Sequence, residues 1–197
     1  MKRMLSLAIV MAFACSAAAE PVPVPIAGGK VTLSPDNTKI NFVGTLAAPK
    51  KPDPRTGGFA KFKGEAVVDG KALKSVSVDI ETASLWTEVG DRLTTHLKSA
   101  DFLEVRAHPA AKFVSTKIES AADGKAKITG NLTLHGQTKE VSFPAAVAVT
   151  DKGLTLASEF QIDRTHWGIN YEPNQVVKEV TLKIAIGEKT QPAGGGR

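Results

Sequence analysis

The sequence predicts an all-β fold, an eight-stranded antiparallel barrel with one short helix between its third and fourth strands. Apolar and polar residues alternate with a period of two in eight successive segments, which places alternate side chains on opposite faces of a strand. Turn sequences such as Asp69-Gly70 and Asp123-Gly124 separate some of these segments. Eight strands in series would leave unpaired edges, and closure into a barrel removes those edges.

The eight strands follow from the alternating apolar residues. We expect them, in chain order, over residues 40–46, 60–68, 75–81, 111–118, 126–134, 141–149, 154–162 and 180–186. In the fourth strand Phe113 and Val114 are adjacent, so both compete for the inner face. In the sixth strand Pro144 is expected to bend the chain, because proline cannot donate a ladder hydrogen bond.

Residues 88–99 are the one segment with helical spacing. Leu93 and Leu97 lie four residues apart and therefore share a helix face. The acidic Asp91 comes early and the basic Lys98 comes late, an order that complements the helix dipole.

The N-terminus has the pattern of a cleavable signal peptide. Lys2 and Arg3 precede an apolar run over residues 4–13, and Ala17-Ala18-Ala19 supplies a small-residue cleavage site. The run is shorter than the roughly 20 apolar residues that a membrane span needs, so no stable membrane insertion is expected. The expected division is a signal peptide over 1–19, a Pro-rich leader over 20–35, the barrel over 36–187 and a flexible tail over 188–197.

Charge and cysteine content exclude some classes of function. The chain has 25 basic and 20 acidic residues, and removal of Lys2 and Arg3 with the signal peptide would leave 23 against 20, a net charge of +3. This small, scattered surplus does not indicate a nucleic-acid partner. Cys15 lies inside the expected signal peptide, so the mature chain would contain no disulfide and no catalytic thiol. Whether Cys15 is lipidated stays open, although Ala12 stands where lipoprotein signals usually carry leucine.

No local motif for a catalytic or metal site is present. The histidines are His96, His108, His135 and His166, and no two of them lie two, three or four residues apart. A metal site assembled from distant parts of the fold is left open. The chain has neither a G-x-S-x-G sequence nor a phosphate-binding glycine-rich loop. We therefore expect no catalytic residue, no bound metal and no cofactor.

Small residues alternate with phenylalanine on the expected inner face. They are Gly44, Gly64, Ala66, Ala126, Gly130 and Ser158. These residues either leave room for an apolar ligand or accommodate the curvature and packing of the barrel. The spacing alone does not decide between these two interpretations.

Several stretches together resemble the YceI-like family. They are TEVGDRLTTHLKSADFLEV over 87–105 with Pro109 and Phe113, ITGNLTLHG over 128–136 with Thr138-Lys139, FQIDR over 160–164 with WGI over 167–169, and Gly58-Phe59 with Phe62. The resemblance implies an extended lipocalin-like barrel in a bacterial periplasm that binds a polyisoprenoid or another long-chain amphiphile in its lumen. It brings no established catalytic residues.

This resemblance leads to a hypothesis for the site of a carrier protein. The expected ligand-binding residues are Phe42, Phe62, Val78, Trp86, Leu97, Phe113, Leu132, Phe143, Phe160, Trp167 and Leu182, with both tryptophans near the mouth. Lys50, Lys51 and Arg55 are candidates for an anionic head group, or else belong to an ordinary solvated loop. The expected partner is a long-chain isoprenoid or lipid-like ligand, and a homodimer is compatible with the resemblance.

Two other functions remain as alternatives. A filled barrel could act as a stress-related interaction protein without a ligand, and it would have no continuous lumen. An enzyme could use Asp91 and His96 as an acid–base pair on a lipid-like substrate, although such a pair is more often structural.

Overall fold

The computed structural model describes residues 20–47, 52–172 and 174–191 of the chain. In this part of the chain an antiparallel sheet curls around an apolar interior, and one α-helix, α1, spans Asp91–Lys98. The strands are β1 (Lys30–Leu33), β2 (Thr38–Leu46), β3 (Asp53–Phe59), β4 (Phe62–Asp69), β5 (Ala72–Glu81), β6 (Leu85–Thr87), β7 (Ala110–Ser120), β8 (Lys125–Leu134), β9 (Gln137–Thr150), β10 (Gly153–Asp163) and β11 (Glu179–Ile186).

The all-β class and the single short helix are confirmed, but the strand count differs from the expected eight. β2, β4, β5 and β7 to β11 coincide with the expected segments, and β1, β3 and β6 are additional. The additional strands extend three of the expected ones. Only Ala60 and Lys61 separate β3 from β4, and a 3-10 turn over Thr82–Ser84 separates β5 from β6.

The strand pairing runs round the sheet. β2 pairs with β3, and β3 continues into β4, which pairs with β5. The pairing then passes from β5 through β7, β8, β9 and β10 to β11, and β11 pairs with β2. β1 forms an antiparallel pair with β4, as β2 does with β3. Eight long strands, three of them interrupted, therefore surround one interior.

The two ambiguous positions of the sequence are resolved in the structure. Phe113 lies on the inner face of β7, and Val114 is 38% exposed on the outer face. β9 continues through Pro144 while it pairs with β8. Its ladder with β10 covers only Ala146 to Thr150, so Pro144 lies beyond the end of that ladder.

α1 is shorter than the expected segment 88–99. The backbone N–H of Glu88 donates to the carbonyl of Thr56, so the chain is still extended at this residue. Gly90 then adopts a φ of 114°, a conformation that L-residues rarely adopt, and the helix begins at Asp91. The acidic start and the basic end of the helix agree with the dipole argument.

Residues before β1 pack on the barrel. Val24 is 8% exposed, and its N–H and carbonyl each form a 2.9 Å hydrogen bond with the backbone of Leu154. The N–H of Val22 donates to the carbonyl of Gly187 over 2.8 Å. β1 itself lies inside the region expected to be a leader, so the ordered domain starts before residue 36. The expected signal peptide, and the tail from residue 192, lie outside the described residues.

Buried apolar side chains gather at one end of the barrel interior. Val31, Leu33, Ile128, Leu154 and Ile186 are each at most 2% exposed. This packed end anchors the strands whose other ends form the site described below. No helix in the described ranges has the length and apolar character needed to cross a membrane.

Candidate functional site

A cavity of about 920 Å³ occupies the barrel interior. It is lined by inward side chains of most strands, by α1 and by the segments that precede β7 and β11. The wall is mainly aliphatic and aromatic, with Phe42, Val78, Ile80, Phe113, Leu132, Val141, Phe143, Phe160, Leu182 and Ile184 among its members. Within the described part of the chain, no Asp or Glu lines the cavity.

The cavity is closed at the packed end of the barrel. Leu33 and Ile128 are 1% exposed there, Ile186 is 2% exposed and Leu156 is 4% exposed. Tight packing at this floor leaves the opposite end, next to α1, as the entrance.

Three phenylalanines form a continuous aromatic wall. Phe143 of β9 and Phe160 of β10 stack with ring centroids 4.1 Å apart and planes 5° apart. Phe113 of β7 lies 5.6 Å from Phe143 in a tilted arrangement. These rings offer a long apolar contact surface that carries no hydrogen-bonding group.

The interior is not filled by its own side chains. Phe42, Phe113, Leu132 and Leu182 point inward but are only partly buried, whereas the corresponding residues of a filled core would be fully buried. Gly44 lines the cavity too, and a Cβ built there meets no atom within 4 Å. The lumen is therefore open along β2.

Most of the other small residues on the inner face serve packing. A Cβ at Gly130 would lie 2.6 Å from the Phe113 ring and 2.5 Å from the carbonyl oxygen of Val114. Ala66 is fully buried, and the hydroxyl of Ser158 donates to the carbonyl of Pro144 over 2.6 Å. Curvature and packing explain these residues, and Gly44 is the one that leaves open space.

The apolar face of α1 contributes to the entrance of the cavity. Leu93 and Leu97 both line it, as the four-residue spacing suggests. Leu46, at the end of β2, is 39% exposed, and Val89, just before α1, is 49% exposed. Both line the cavity, so the rim combines apolar contact with access from solvent.

Positive charge gathers among the lining residues near this entrance. Arg55 of β3, Arg92 of α1 and Arg164 after β10 all line the cavity. Arg55 forms an ion pair with Asp53. No acidic side chain lines the cavity in the described residues, so Arg92 and Arg164, together with the partly compensated Arg55, favour an anionic group there.

Arg164 is held by main-chain carbonyls. Its Nη1 donates to Ile169 over 2.6 Å, and its Nη2 donates to Tyr171 over 2.8 Å and to Val176 over 2.9 Å. The residue is only 4% exposed, and burial lowers the pKa of its guanidinium. The side chain thus fixes the segment before β11 and places a cation beside the lumen.

His96 belongs to an aromatic cluster at the rim. Its ring contacts Phe102 and Tyr171 edge-on, with centroids 5.2 and 4.9 Å away. Its Nε2 lies 2.9 Å from Oδ2 of Asp101. The acid–base alternative requires Asp91 beside His96. The acid that lies beside His96 is Asp101 instead.

The model of the YceI-like domain family matches residues 32–187 of the chain. The chain belongs to the YceI-like domain family. Among curated relatives, a UPF0312 protein of Pseudomonas putida strain F1 is 46% identical over 91 residues, which cover 45% of this chain and 47% of the relative. A UPF0312 protein of Pseudomonas fluorescens strain SBW25 is 47% identical over 70 residues, 36% of each protein. These matches span about half the length of the relatives, or less.

Solved structures share the fold. BcnA of Burkholderia cenocepacia superposes with a TM-score of 0.66 at 25% identity, covering 76% of this chain and 94% of that one. A Campylobacter jejuni YceI protein gives a TM-score of 0.58 at 25% identity over 66% and 81% of the two chains. A polyisoprenoid binding domain from Saccharophagus degradans gives 0.59 at 12% identity over 79% and 95%, a likeness of fold alone.

The YceI-like barrel brings most of the expected ligand-binding residues to one cavity. The residues that line it are Phe42, Val78, Leu97, Phe113, Leu132, Phe143, Phe160 and Leu182, together with the head-group candidate Arg55. Lys50 and Lys51 lie outside the described residues. Arg55 belongs to strand β3 and not to the loop expected around it.

Phe62, Trp86 and Trp167 do not line this cavity. Phe62 is 8% exposed and packs in the apolar core. Trp86 packs against Gly58, where a Cβ would lie 2.9 Å from its indole ring. Trp167 is 2% exposed, and its indole N–H donates to the carbonyl of Leu132 over 3.1 Å. Neither tryptophan therefore contributes to the cavity wall.

Several residues of the entrance were not singled out for the ligand from the sequence. They are Arg92, His96, Phe102, Arg164 and Tyr171. The helical spacing could have indicated Arg92 and His96, which lie one residue before Leu93 and Leu97. Arg164 carried no such signal, because its position depends on a later segment that folds back over it.

Proposed function

We propose that this protein binds a long-chain apolar or amphiphilic molecule of polyisoprenoid type, with the chain in the cavity and the polar head at the entrance beside α1. The observation that carries this proposal is the cavity itself: about 920 Å³, closed at one end by apolar side chains and bordered by arginines at the other. Binding sites for small molecules are commonly cavities of roughly 300–1,000 Å³ with apolar walls and few polar groups.

Energetics support an apolar guest. Unfilled apolar volume destabilises a protein, because the atoms that line it lose contact partners. Water is held weakly by such a wall, because it finds few hydrogen-bond partners there. A hydrocarbon chain gains about 0.8 kcal/mol for each methylene that it buries.

The charges support an anionic or strongly polar head group. Arg55, Arg92 and Arg164 line the cavity without an acidic lining residue in the described chain. Arg164 is fixed by main-chain carbonyls, so its charge is in place before a ligand arrives. Guanidinium groups bind phosphate and carboxylate through charge-assisted hydrogen bonds.

The polyisoprenoid class of ligand is proposed from the similarity in fold to a polyisoprenoid binding domain. That domain shares the fold at 12% identity, so its ligand is a hypothesis for this chain. The apolar wall and closed floor are compatible with a prenyl chain and equally with an acyl chain.

We propose that the protein acts as an exported carrier in the periplasm, without catalytic activity. The signal-peptide pattern in residues 1–19 supports export. A ligand whose chain lies inside the barrel can cross an aqueous compartment, which supports a carrier role. Cell fractionation, with detection of a shorter mature chain in the periplasmic fraction, tests this location.

The cavity disfavours a ligand-free filled barrel. Such a barrel would have no continuous lumen, whereas here large apolar residues remain partly accessible inside the sheet. The exposed large apolar residues of the described chain, Val22, Leu46, Val89 and Val114, belong to four separate segments of the sequence. Leu46 and Val89 both line the cavity entrance, so their exposure belongs to that site rather than to a separate docking patch.

Native mass spectrometry of protein purified from its own host tests the binding proposal. We expect a mass excess that disappears after solvent extraction, and a prenyl or acyl amphiphile in the extract. Delipidated protein should take up a defined prenyl diphosphate with one-to-one stoichiometry. The proposal is wrong if delipidated, folded protein takes up neither prenyl nor fatty chains.

A further inference from the structure

Three potential metal ligands converge outside the cavity. Glu104 and His108 lie in the segment between α1 and β7, and His135 lies in the turn between β8 and β9. One ligand atom from each residue lies within 4.8 Å of the others. The carboxylate Oε2 of Glu104 is 3.8 Å from Nε2 of His108 and 3.7 Å from Nε2 of His135.

These distances are too long for direct hydrogen bonds. A heavy-atom separation above about 3.5 Å does not make one. Two nitrogens and a carboxylate oxygen on a tetrahedral zinc ion, with bonds of about 2.0–2.1 Å, are roughly 3.4 Å apart. The two distances from Glu104 exceed this spacing by a few tenths of an ångström, and the ligand atoms of the two histidines lie within 4.8 Å of each other.

His135 is oriented as a metal ligand. Its Nδ1 lies 3.0 Å from the carbonyl oxygen of Trp167, and a carbonyl can only accept, so Nδ1 carries the proton. In the neutral imidazole, Nε2 then carries the lone pair, 3.7 Å from Oε2 of Glu104. This nitrogen is buried and has no hydrogen-bond partner in the described part of the chain, an arrangement that ordinarily carries a free-energy cost. Metal-bound histidines typically donate their second N–H to a carbonyl or carboxylate in this way.

The backbone supports the same arrangement. His135 and Gly136, with φ values of 48° and 71°, form the two-residue turn that joins β8 to β9, so this hairpin sets the position of His135. Gly136 makes room for the imidazole of His108, because a Cβ there would lie 2.8 Å from its Cε1. The carbonyl of His108 accepts a 2.7 Å hydrogen bond from the hydroxyl of Thr82. The two imidazoles are thus held side by side, with ring centroids 4.4 Å apart.

We propose that Glu104, His108 and His135 bind one late first-row transition-metal ion, with zinc as the physiological candidate. Two imidazoles and one carboxylate suit such an ion, whereas Mg²⁺ and Ca²⁺ prefer oxygen ligands only. The Glu104 side chain is 42% exposed, which leaves a coordination position open to water. Leu103 and Leu134, each next to a ligand in sequence, line the main cavity, so the ion would pin the cavity wall at this end.

Zinc titration of tag-free, chelator-treated protein by calorimetry tests this site. We expect saturable one-to-one binding to the parent protein and a rise in its melting temperature with zinc. Affinity should fall by more than about tenfold in Glu104→Gln, His108→Gln and His135→Gln. His166→Gln is the matched control, because His166 is 68% exposed and lies outside the cluster, and its affinity should match the parent's.

Glu104→Gln is the decisive variant. It keeps the size and the partly exposed position of the side chain and removes only the charge, so it should fold even if a histidine variant does not. Circular dichroism of each variant checks the fold. The proposal is overturned if the parent shows no one-to-one binding, or if folded Glu104→Gln binds zinc as tightly as the parent. Neither result depends on whether the main cavity binds a lipid.

Discussion

Asp163 and Arg164 are adjacent residues that stabilise the same turn in different ways. Oδ1 of Asp163 accepts hydrogen bonds from both the N–H and the hydroxyl of Thr165, at 3.0 and 2.6 Å. Arg164 points the other way and donates to carbonyls of the segment before β11. The turn over Arg164–Trp167 therefore joins the end of β10 to the entrance of the cavity.

The carboxylate of Asp163 should make stability depend on acid pH. The hydroxyl of Thr165, first of all, and then its N–H and the ammonium group of Lys178 lower the pKa of Asp163 from 3.8 to about 2. The charged form is stabilised in the folded state. Its contribution is present in full above about pH 4 and is lost as the pH falls through about 2. We expect a loss on the order of 1–2 kcal/mol over this window.

Urea unfolding of the parent and of Asp163→Asn between pH 5 and pH 2 measures this effect. The variant keeps an acceptor oxygen for Thr165 but has no charge, so its free energy of unfolding should fall less steeply with acid. Asp79→Asn is the control, because Asp79 forms an exposed ion pair with Lys112 that contributes little. Parallel curves for the parent and Asp163→Asn would contradict the assignment.

At the residue scale, sequence reasoning found inward residues better than polar ones. Phe113, Phe143 and Phe160 follow from alternation, because the period of a strand fixes the face of each side chain. Arg164 and His135 could not be found in this way. Arg164 is buried because carbonyls up to Val177 fold back over it, and His135 meets Glu104 only after β8 turns into β9. Sequence-distant contacts of this kind carry no local period.

At the element scale, β2 shows how a strand can leave a lumen open. Phe42, Gly44 and Leu46 share its inner face and all line the cavity. Gly57, on the neighbouring β3, is required for close packing, since a Cβ there would lie 2.5 Å from the Phe42 ring. Gly44 pairs with Arg55 but has free space on its inner side. The two glycines thus have opposite tolerance for substitution.

Gly44→Phe should fill the lumen without disrupting the fold. The position is in an extended strand with no atom within 4 Å of a Cβ, so a side chain can enter the cavity. Each ligand methylene that the phenyl ring displaces from the cavity costs about 0.8 kcal/mol of binding free energy. Displacement of two methylenes should therefore weaken binding by about tenfold. Displacement of a fluorescent fatty-acid analogue measures the change in affinity.

Val43→Phe is the control for this variant. Val43 lies on the same strand with its side chain in a shallow depression on the outer surface. It places the same phenyl group outside the lumen, so the affinity should stay at the parent value. Equal losses in both variants would indicate a general effect on β2 and would contradict a ligand position beside Gly44.

The strands missed by sequence reasoning share a physical cause. β3 has the sequence DPRTGGF, in which Pro54 and two glycines lack the apolar alternation that predicts a strand. β1 follows a Pro-rich stretch, and β6 has only three residues. β3 pairs with β2 and β6, and β1 pairs with β4, so ladder hydrogen bonds to neighbouring strands hold these segments rather than their own strand preference.

At the scale of the whole molecule, the two ends of the barrel differ in chemical character. Its floor includes several of the most buried apolar residues in the described part of the chain, and its entrance carries three arginines and two exposed apolar residues. An amphiphile fits this gradient in one orientation only, with its chain toward Leu33 and Ile128 and its head toward Arg92 and Arg164. Affinity should therefore respond separately to the two ends of the ligand.

A series of prenyl alcohols and prenyl diphosphates of increasing length separates these two contributions. Affinity should rise by about fourfold per additional buried methylene and then stop rising when the chain reaches the floor, because further carbons stay in water. Melting temperature follows affinity, since a ligand at 100 times its Kd stabilises the fold by about 2.7 kcal/mol. At equal length the diphosphate should bind more tightly than the alcohol in low salt, and added salt should narrow the difference as it screens the entrance arginines. Affinity that is independent of chain length would contradict a chain bound in the lumen, whereas a length dependence with no preference for the diphosphate would contradict only the head-group assignment.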